Sequence, residues 1–378
     1  MKKIGFVYFD IEYLIPHFLG IVNELYKHIE DVEVQILVPE MEHHYLYKQM
    51  KNLRLPKEIV IELPTYFYKK IAYKIQGRKR PNERFIFQKN KEFFKQFDVL
   101  AFVVFDHHYL LDIKKNGVKF VYLKHGAGDN SHPFLPKHKK FIEQFDLVIA
   151  SGQKIKDRFL QMGHFPSTEF KICGYPKFDL LKHMTKKNFF PNSSNPVILY
   201  NPHFRREFSS YFEWGEKILD FFYHHKEYNL IFAPHMRLFD KRYRDRISEK
   251  HISKKYFKAN NIRIDLGSIQ SVDMSYTSSA EIYMGDISSQ VYEFLLTGLK
   301  PVIYLNAHHV NWKNNPFYSN WKFGKVINQI KDLGQVLENS DKWKNEYINI
   351  QQNALEYTFD ISPNKSSSYR VAEAIYNL

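Results

Sequence analysis

Residues 281–298 run EIYMGDISSQVYEFLLTG. The apolar, aromatic-rich run at 281–284 reads as a strand. Gly285-Asp286-Ile287 follows, then Ser288-Ser289, then an apolar run closed by Gly298. Serine is favoured at a helix N-cap and glycine just past a helix end, so a helix is expected over 289–297. A strand that turns at its carboxyl end into a helix is half of a βαβ unit, and such units build parallel sheets.

The alternation extends both ways. Strand candidates at 4–9, 32–38, 99–105, 120–124 and 147–150 are β-branched or aromatic-rich, with a helix expected at 16–29. A second series lies at 197–200, 229–233, 262–265, 281–284 and 301–305, with a further helix at 213–225. The polar stretch 182–196, with Pro191 and Pro196, reads as a linker. Residues 331–378 read as helical. A chain of 378 residues is long enough for two domains. The expected fold class is α/β, with two Rossmann-like doubly wound domains, 1–181 and 197–378, facing a central cleft.

Composition narrows the function classes. The single cysteine, Cys173, excludes an internal disulfide framework and a cysteine zinc site. Asp10 and Glu12 interrupt any apolar leader, and no apolar run reaches bilayer length. The expected location is cytoplasmic, with peripheral contact at the inner face of the cytoplasmic membrane. The net charge of +14 implies an anionic partner. Much of it sits in 69–95, where Lys69, Lys70, Lys74, Arg78, Lys79, Arg80, Arg84, Lys89, Lys91 and Lys95 interleave with Tyr73, Phe85, Phe87, Phe93 and Phe94. That stretch fits a solvated helical face over a buried aromatic stripe. It fits equally a surface for anionic lipid or an anionic acceptor.

In open α/β sheets, ligands bind beyond the carboxyl ends of the strands. Four such ends carry polar residues: His125-Gly126-Ala127-Gly128, Asn201-Pro202-His203, Pro234-His235-Met236-Arg237 and Gly285-Asp286-Ile287-Ser288-Ser289. The helix start at Ser288-Ser289 suits a phosphate, through orphan N–H groups and the dipole. Glu293, about one turn on, could then accept from ribose hydroxyls. The same pattern fits an ordinary capped helix with an exposed Glu293. His235 offers a hydrogen-bond donor and Arg237 a bidentate grip on a diphosphate. A histidine after a strand can also be purely structural, and Asn201-Pro202-His203 can simply shape a turn. His125 can take a proton near neutral pH, or bond a neighbouring loop. Asp106-His107-His108 does not suit a metal, because adjacent strand residues face opposite ways. No HExxH, Walker A or GxGxxG pattern occurs, and Gly152-Gln153-Lys154 lacks the upstream P-loop glycine. No cofactor and no metal is expected; Asp286 is the residue that could recruit a metal.

Taken in order, His125-Gly126, Gly174-Tyr175-Pro176-Lys177-Phe178-Asp179, the strand end at 199–203, Pro234-His235 and the segment 286–293 resemble the CDP-glycerol glycerophosphotransferases. These are the teichoic-acid and capsule polyol-phosphate transferases. The resemblance spans 120–305 and implies a GT-B fold, with an acceptor-side first domain and a nucleotide-donor-binding second domain. It implies transfer of glycerol phosphate or a similar polyol phosphate from a CDP-alcohol to a glycan or lipid-linked acceptor, with release of CMP. His125 would be the general base. His235, Ser288 and Ser289 would hold the donor phosphates, His235 also serving the chemistry, and Glu293 would meet the nucleoside. The reading of the residues themselves adds Arg237 to the phosphate grip, with Gly126, His203 and Asp286 in support. The family's usual Trp before His-Gly is Lys124 here, and its usual Thr after it is Ala127. Two other activities fit the same pattern: a GT-B glycosyltransferase using a UDP- or CMP-sugar, and a nucleotide-sugar epimerase that needs no acceptor. Nucleic acid is not an expected partner, because it leaves the histidine and serine motifs unexplained.

Overall fold

The computed structural model describes residues 1–9, 12–69, 71, 82–127, 132–181, 187–240, 251–361 and 364–378. Two parallel sheets organise them. The first holds β1 (Lys2–Val7), β2 (Val32–Pro39), β3 (Val60–Leu63), β4 (Val99–Phe102), β5 (Lys119–Leu123), β6 (Leu147–Ala150) and β7 (Glu169–Ile172). The second holds β8 (Val197–Asn201), β9 (Asn229–Phe232), β10 (Ile262–Ile264), β11 (Ile282–Gly285), β12 (Val302–Leu305) and β13 (Lys325–Ile327).

Their orders are β3-β2-β1-β4-β5-β6-β7 and β10-β9-β8-β11-β12-β13. In each, the chain winds outward from its first strand, then crosses back to that strand's other side. The reversal leaves a crevice beside the first strand, between β1 and β4 and between β8 and β11. That is where doubly wound folds bind ligands.

The inner strands are mainly apolar because both faces are covered. Every residue of β4, β6, β9, β11 and β12 is buried, as expected for parallel sheets under helices. The edge strands β3, β7, β10 and β13 are partly exposed. Of these the sequence marks only β10, at 262–265, and passes over β3, β7 and β13. The expected strand 99–105 stops at Phe102, and a short 3₁₀ turn, Asp106–Tyr109, follows. His107 and His108 therefore lie on a turn, and the argument from opposite strand faces does not apply to them. His107 is fully buried and bonds Gln144 through Nε2 at 3.0 Å.

The chain divides into two compact units. The first comprises residues 1–126, 130–184 and 356–378, the second 127–129 and 185–355. This differs from the expected division, which keeps 197–378 together. The C-terminal segment returns to the first unit because that unit is built to receive it. Ser151 Oγ donates to Thr358 O at 2.9 Å, and Lys2 Nζ donates to Tyr376 O at 2.7 Å. Asp179, the acid of the Gly-x-Pro-x-x-Asp motif, accepts from Ser368 N at 2.6 Å, beside the Ser366 cap of helix Ser367–Tyr376. Gly174 of that motif has φ +83, and a Cβ there would run into Ser367, Arg370 and Asp360. The helix buries Val371, Ala372, Ala374 and Ile375 and packs along helix Leu19–His28.

Among the described residues, no helix is long and apolar enough to cross a membrane. Of the basic stretch 69–95, Lys70, Tyr73, Lys74, Arg78, Lys79 and Arg80 lie outside the described residues. Phe87 and Phe94 sit in the core. Lys91 pairs with Asp112 and Lys95 with Glu92. The described part is thus a solvated helical face over a buried aromatic stripe.

Candidate functional site

In the second unit, the residues at the strand ends are tied to one another. Asn201 closes β8; its Nδ2 donates to Ala233 O past β9 (2.7 Å), and its Oδ1 accepts from Tyr283 Oη on β11 (3.0 Å). Asp286 follows β11 and is 1% exposed. Its Oδ2 accepts from His203 N and Ser210 N, each at 2.9 Å. One carboxylate thereby joins the ends of β8 and β11 across the point where the strand order reverses. Burial pushes the Asp286 carboxyl up to about 7, against the pull of those two N–H groups. Asp286 is thus a strut within the fold, with a buried Oδ1 that has no hydrogen-bond partner among the described residues.

The ends of β8 and β9 carry one local device twice, as Pro202-His203-Phe204-Arg205 and Pro234-His235-Met236-Arg237. In the first, Arg205 N donates to His203 Nδ1 at 3.0 Å; in the second, Arg237 N donates to His235 Nδ1 at 3.2 Å. A backbone N–H can only donate, so both Nδ1 atoms carry lone pairs and both Nε2 atoms carry the proton. Burial lowers His203 to about 4, with the Arg205 charge adding, and His235 to about 3, with His203 and Arg237 adding. Both rings are therefore neutral Nε2–H donors at pH 7. Their centroids lie 6.0 Å apart, and the Phe204 ring lies 4.6 Å from each. The Arg205 and Arg237 guanidiniums lie 5.8 and 5.5 Å from the Phe204 centroid. Two oriented donors and two cations thus gather around one aromatic ring, the kind of groups that can hold an anion.

Helix Gln290–Leu296 has Ser289 at its N-cap position, as expected, but Ser289 makes no side-chain capping bond. Ser288 Oγ instead accepts from Gln290 N at 3.2 Å. Glu293 is buried at 6% exposure, and its charge reaches the Tyr283 hydroxyl. The exposed Glu293 of the capped-helix alternative is thereby corrected, since the side chain is buried.

In the first unit, His125 follows β5 and bonds Val103 O, past β4, through Nδ1 at 2.7 Å. A carbonyl only accepts, so Nδ1 carries the proton and the basic lone pair lies on Nε2. Gly126 has φ +71, a conformation that disfavours side chains. Gly128 lies outside the described residues. Lys124 is buried, its Nζ donating to His125 O (2.9 Å) and Gly126 O (2.6 Å), which pins the loop that carries the imidazole. His17 lies 5.9 Å from His125, ring to ring, and Tyr175 edges His17 at 5.5 Å. Burial holds His17 well below the ordinary histidine range, helped by Lys177, so it is neutral.

The sequence reading missed His17, Phe204 and Arg205. The repeated Pro-His-x-Arg was the available signal for the last two. His17 carried none, because only the sheet brings it beside His125.

No protein-family profile and no curated protein sequence matches the chain. Solved structures do resemble it. UDP-GlcNAc 2-epimerase from Neisseria meningitidis bound to UDP-GlcNAc is 13% identical, with a TM-score of 0.62 over 100% of both chains. The wall teichoic acid polymerase TagF with CDPG is 14% identical, with a TM-score of 0.62 over 100% of this chain and 88% of that one. HepE from Anabaena in complex with UDP-glucose is 13% identical, with a TM-score of 0.55 over 100% of both. The fold is GT-B. At these identities the likeness carries the fold alone, and GT-B names the pair of doubly wound units already described.

Proposed function

We propose that this protein transfers a polyol phosphate, glycerol phosphate first, from a CDP-alcohol to a hydroxyl of a glycan or lipid-linked acceptor. The observation that carries the reading is the paired His-x-Arg device at the β8–β9 ends, beside the Asp286 strut. His203, His235, Arg205 and Arg237 supply oriented donors and positive charge to a nucleotide diphosphate, with Ser288 and Ser289 near the next strand end. Glu293 and the β11 end serve the nucleoside.

The acceptor oxygen attacks the β-phosphorus in line, and its proton passes to His125 Nε2. The bond from the β-phosphorus to the bridging oxygen breaks, and CMP leaves with the electron pair. Donors fixed before the reaction stabilise the growing charge without reorganisation. The cationic groups near His125, Lys124 and Lys177, and the basic stretch 69–95, suit an anionic acceptor or the surface that carries it.

A second reading is nucleotide-sugar chemistry, favoured by the resemblance to the UDP-GlcNAc 2-epimerase and to HepE with UDP-glucose. Incubation with CDP-glycerol, CDP-ribitol and UDP-sugars separates the readings. CMP release that requires an acceptor is the expected result. UDP release, or turnover of a UDP-sugar with no acceptor present, would replace the proposal with a glycosyltransferase or an epimerase.

A further inference from the structure

The second unit carries a cavity of about 740 Å³ at the amino ends of β8, β9 and β10, the opposite end of the sheet from the histidines. Asn195 precedes β8, Asn229 opens β9 and Asn261 precedes β10. With strands of four or five residues at ~3.3 Å each, the cavity lies roughly 15 Å from the His203–His235 end. It is therefore a separate site and cannot be part of the donor site.

Its chemistry is one-sided. Lys226, Lys255 and Lys258 line it, with amides from Asn192 and Asn260, and among the described residues no carboxylate lines it. Lys255 is held by Asp220 at 2.6 Å. Lys226 and Lys258 are exposed, and their ammonium groups have no ion-pair partner among the described residues. Each therefore remains available to a phosphate.

The aromatic lining argues against a nucleobase ligand. Phe189 already packs on Tyr276 at 4.8 Å and under Arg263 at 4.9 Å, and Phe190 is buried. Tyr223 packs edge-on with His224 and Tyr256 and lies under Lys255. Single-stranded nucleic acids bind through ring faces on which bases stack, and these rings are engaged elsewhere. What remains open is ammonium and amide, which recognise phosphate and hydroxyl. The volume lies within the usual range for ligand sites.

We infer that this cavity binds a phosphodiester-linked polyol or sugar chain, holding the acceptor polymer at a second point on the protein. The inference rests on the proposed function, because polyol-phosphate transfer is what produces such a chain.

The test uses the full-length protein and a fluorescently labelled glycerol-phosphate oligomer, with dextran and oligouridylate as comparison ligands. In the double variant Lys226→Glu/Lys258→Glu, oligomer affinity should fall about tenfold or more, the scale of two lost ion pairs plus repulsion. Affinity for CDP and UDP should stay unchanged. Dextran should bind neither protein. Equal oligomer affinity in the variant and the parent would overturn the inference. So would tighter binding of oligouridylate that the double variant abolishes, which would make the cavity a nucleic-acid site. Nucleotide binding in the parent is scored separately. If CDP and UDP fail to bind at all, the proposed function fails, while the oligomer result still decides the cavity.

Discussion

His203 and His235 show how much a single backbone bond decides. Each ring receives a backbone N–H at Nδ1 and so presents a proton at Nε2, while His125, bonded to a carbonyl, presents a lone pair there. The same side chain thus presents a proton in one unit and a lone pair in the other. His125→Ala should lower transfer by about 10²–10⁴, the usual worth of a general base, with nucleotide affinity nearly unchanged. CMP release and calorimetric titration check it, and full activity would remove the base assignment. His203→Ala and His235→Ala should each weaken CDP binding about tenfold, consistent with loss of one hydrogen bond to a charged group. Sequence reasoning ranks His203 below His235. Equal losses would bear out the geometry, and a loss confined to His235 would return His203 to a turn-shaping role.

At the scale of elements, Asp286 holds two strand ends together through the amides of His203 and Ser210. Asp286→Ala leaves both without their acceptor and should cost about 2–3 kcal/mol, measured by urea unfolding. An unchanged midpoint would mean that water replaces the carboxylate. The strand ends also set the pH response. His203 and His235 are depressed from 6.5 to about 4 and about 3. Between those values and 6.5 the unfolded chain binds more protons than the folded one. Their contribution is therefore full above pH 6.5 and is lost as pH falls towards 4 and 3. Asp286 acts in the opposite sense: raised from 3.8 to about 7, it makes stability fall as pH rises across that window. His235→Gln should flatten the loss of stability between pH 6.5 and 4, read from urea midpoints across that range. An identical slope in the variant would show that the ring is not held neutral.

At the scale of the whole molecule, the division into units depends on where the last helix docks. Gly174 sits where a Cβ would meet Ser367, Arg370 and Asp360, in a conformation that disfavours side chains. Gly174→Ala should therefore destabilise the first unit by about 2 kcal/mol or more. Hydrogen exchange should quicken in β1 and helix Leu19–His28 while β8 and β11 keep their protection. Equal loss in both units would mean that they unfold as one. Much of this protein was legible in one dimension. Period, capping residues and strand-end composition are local properties, so they exposed most of the buried strands, the parallel sheets and the positions of His125, His235 and Ser288-Ser289. Of the four edge strands only β10 was marked, and β3, β7 and β13 stayed hidden, because half-exposed strands need no apolar run. The tautomer of each histidine, the burial of Glu293, the strut at Asp286 and the return of the C-terminal helix depend on partners far away in the chain. Hydrogen bonds and burial between such residues exist only once the sheets have formed, so tertiary structure alone decided them.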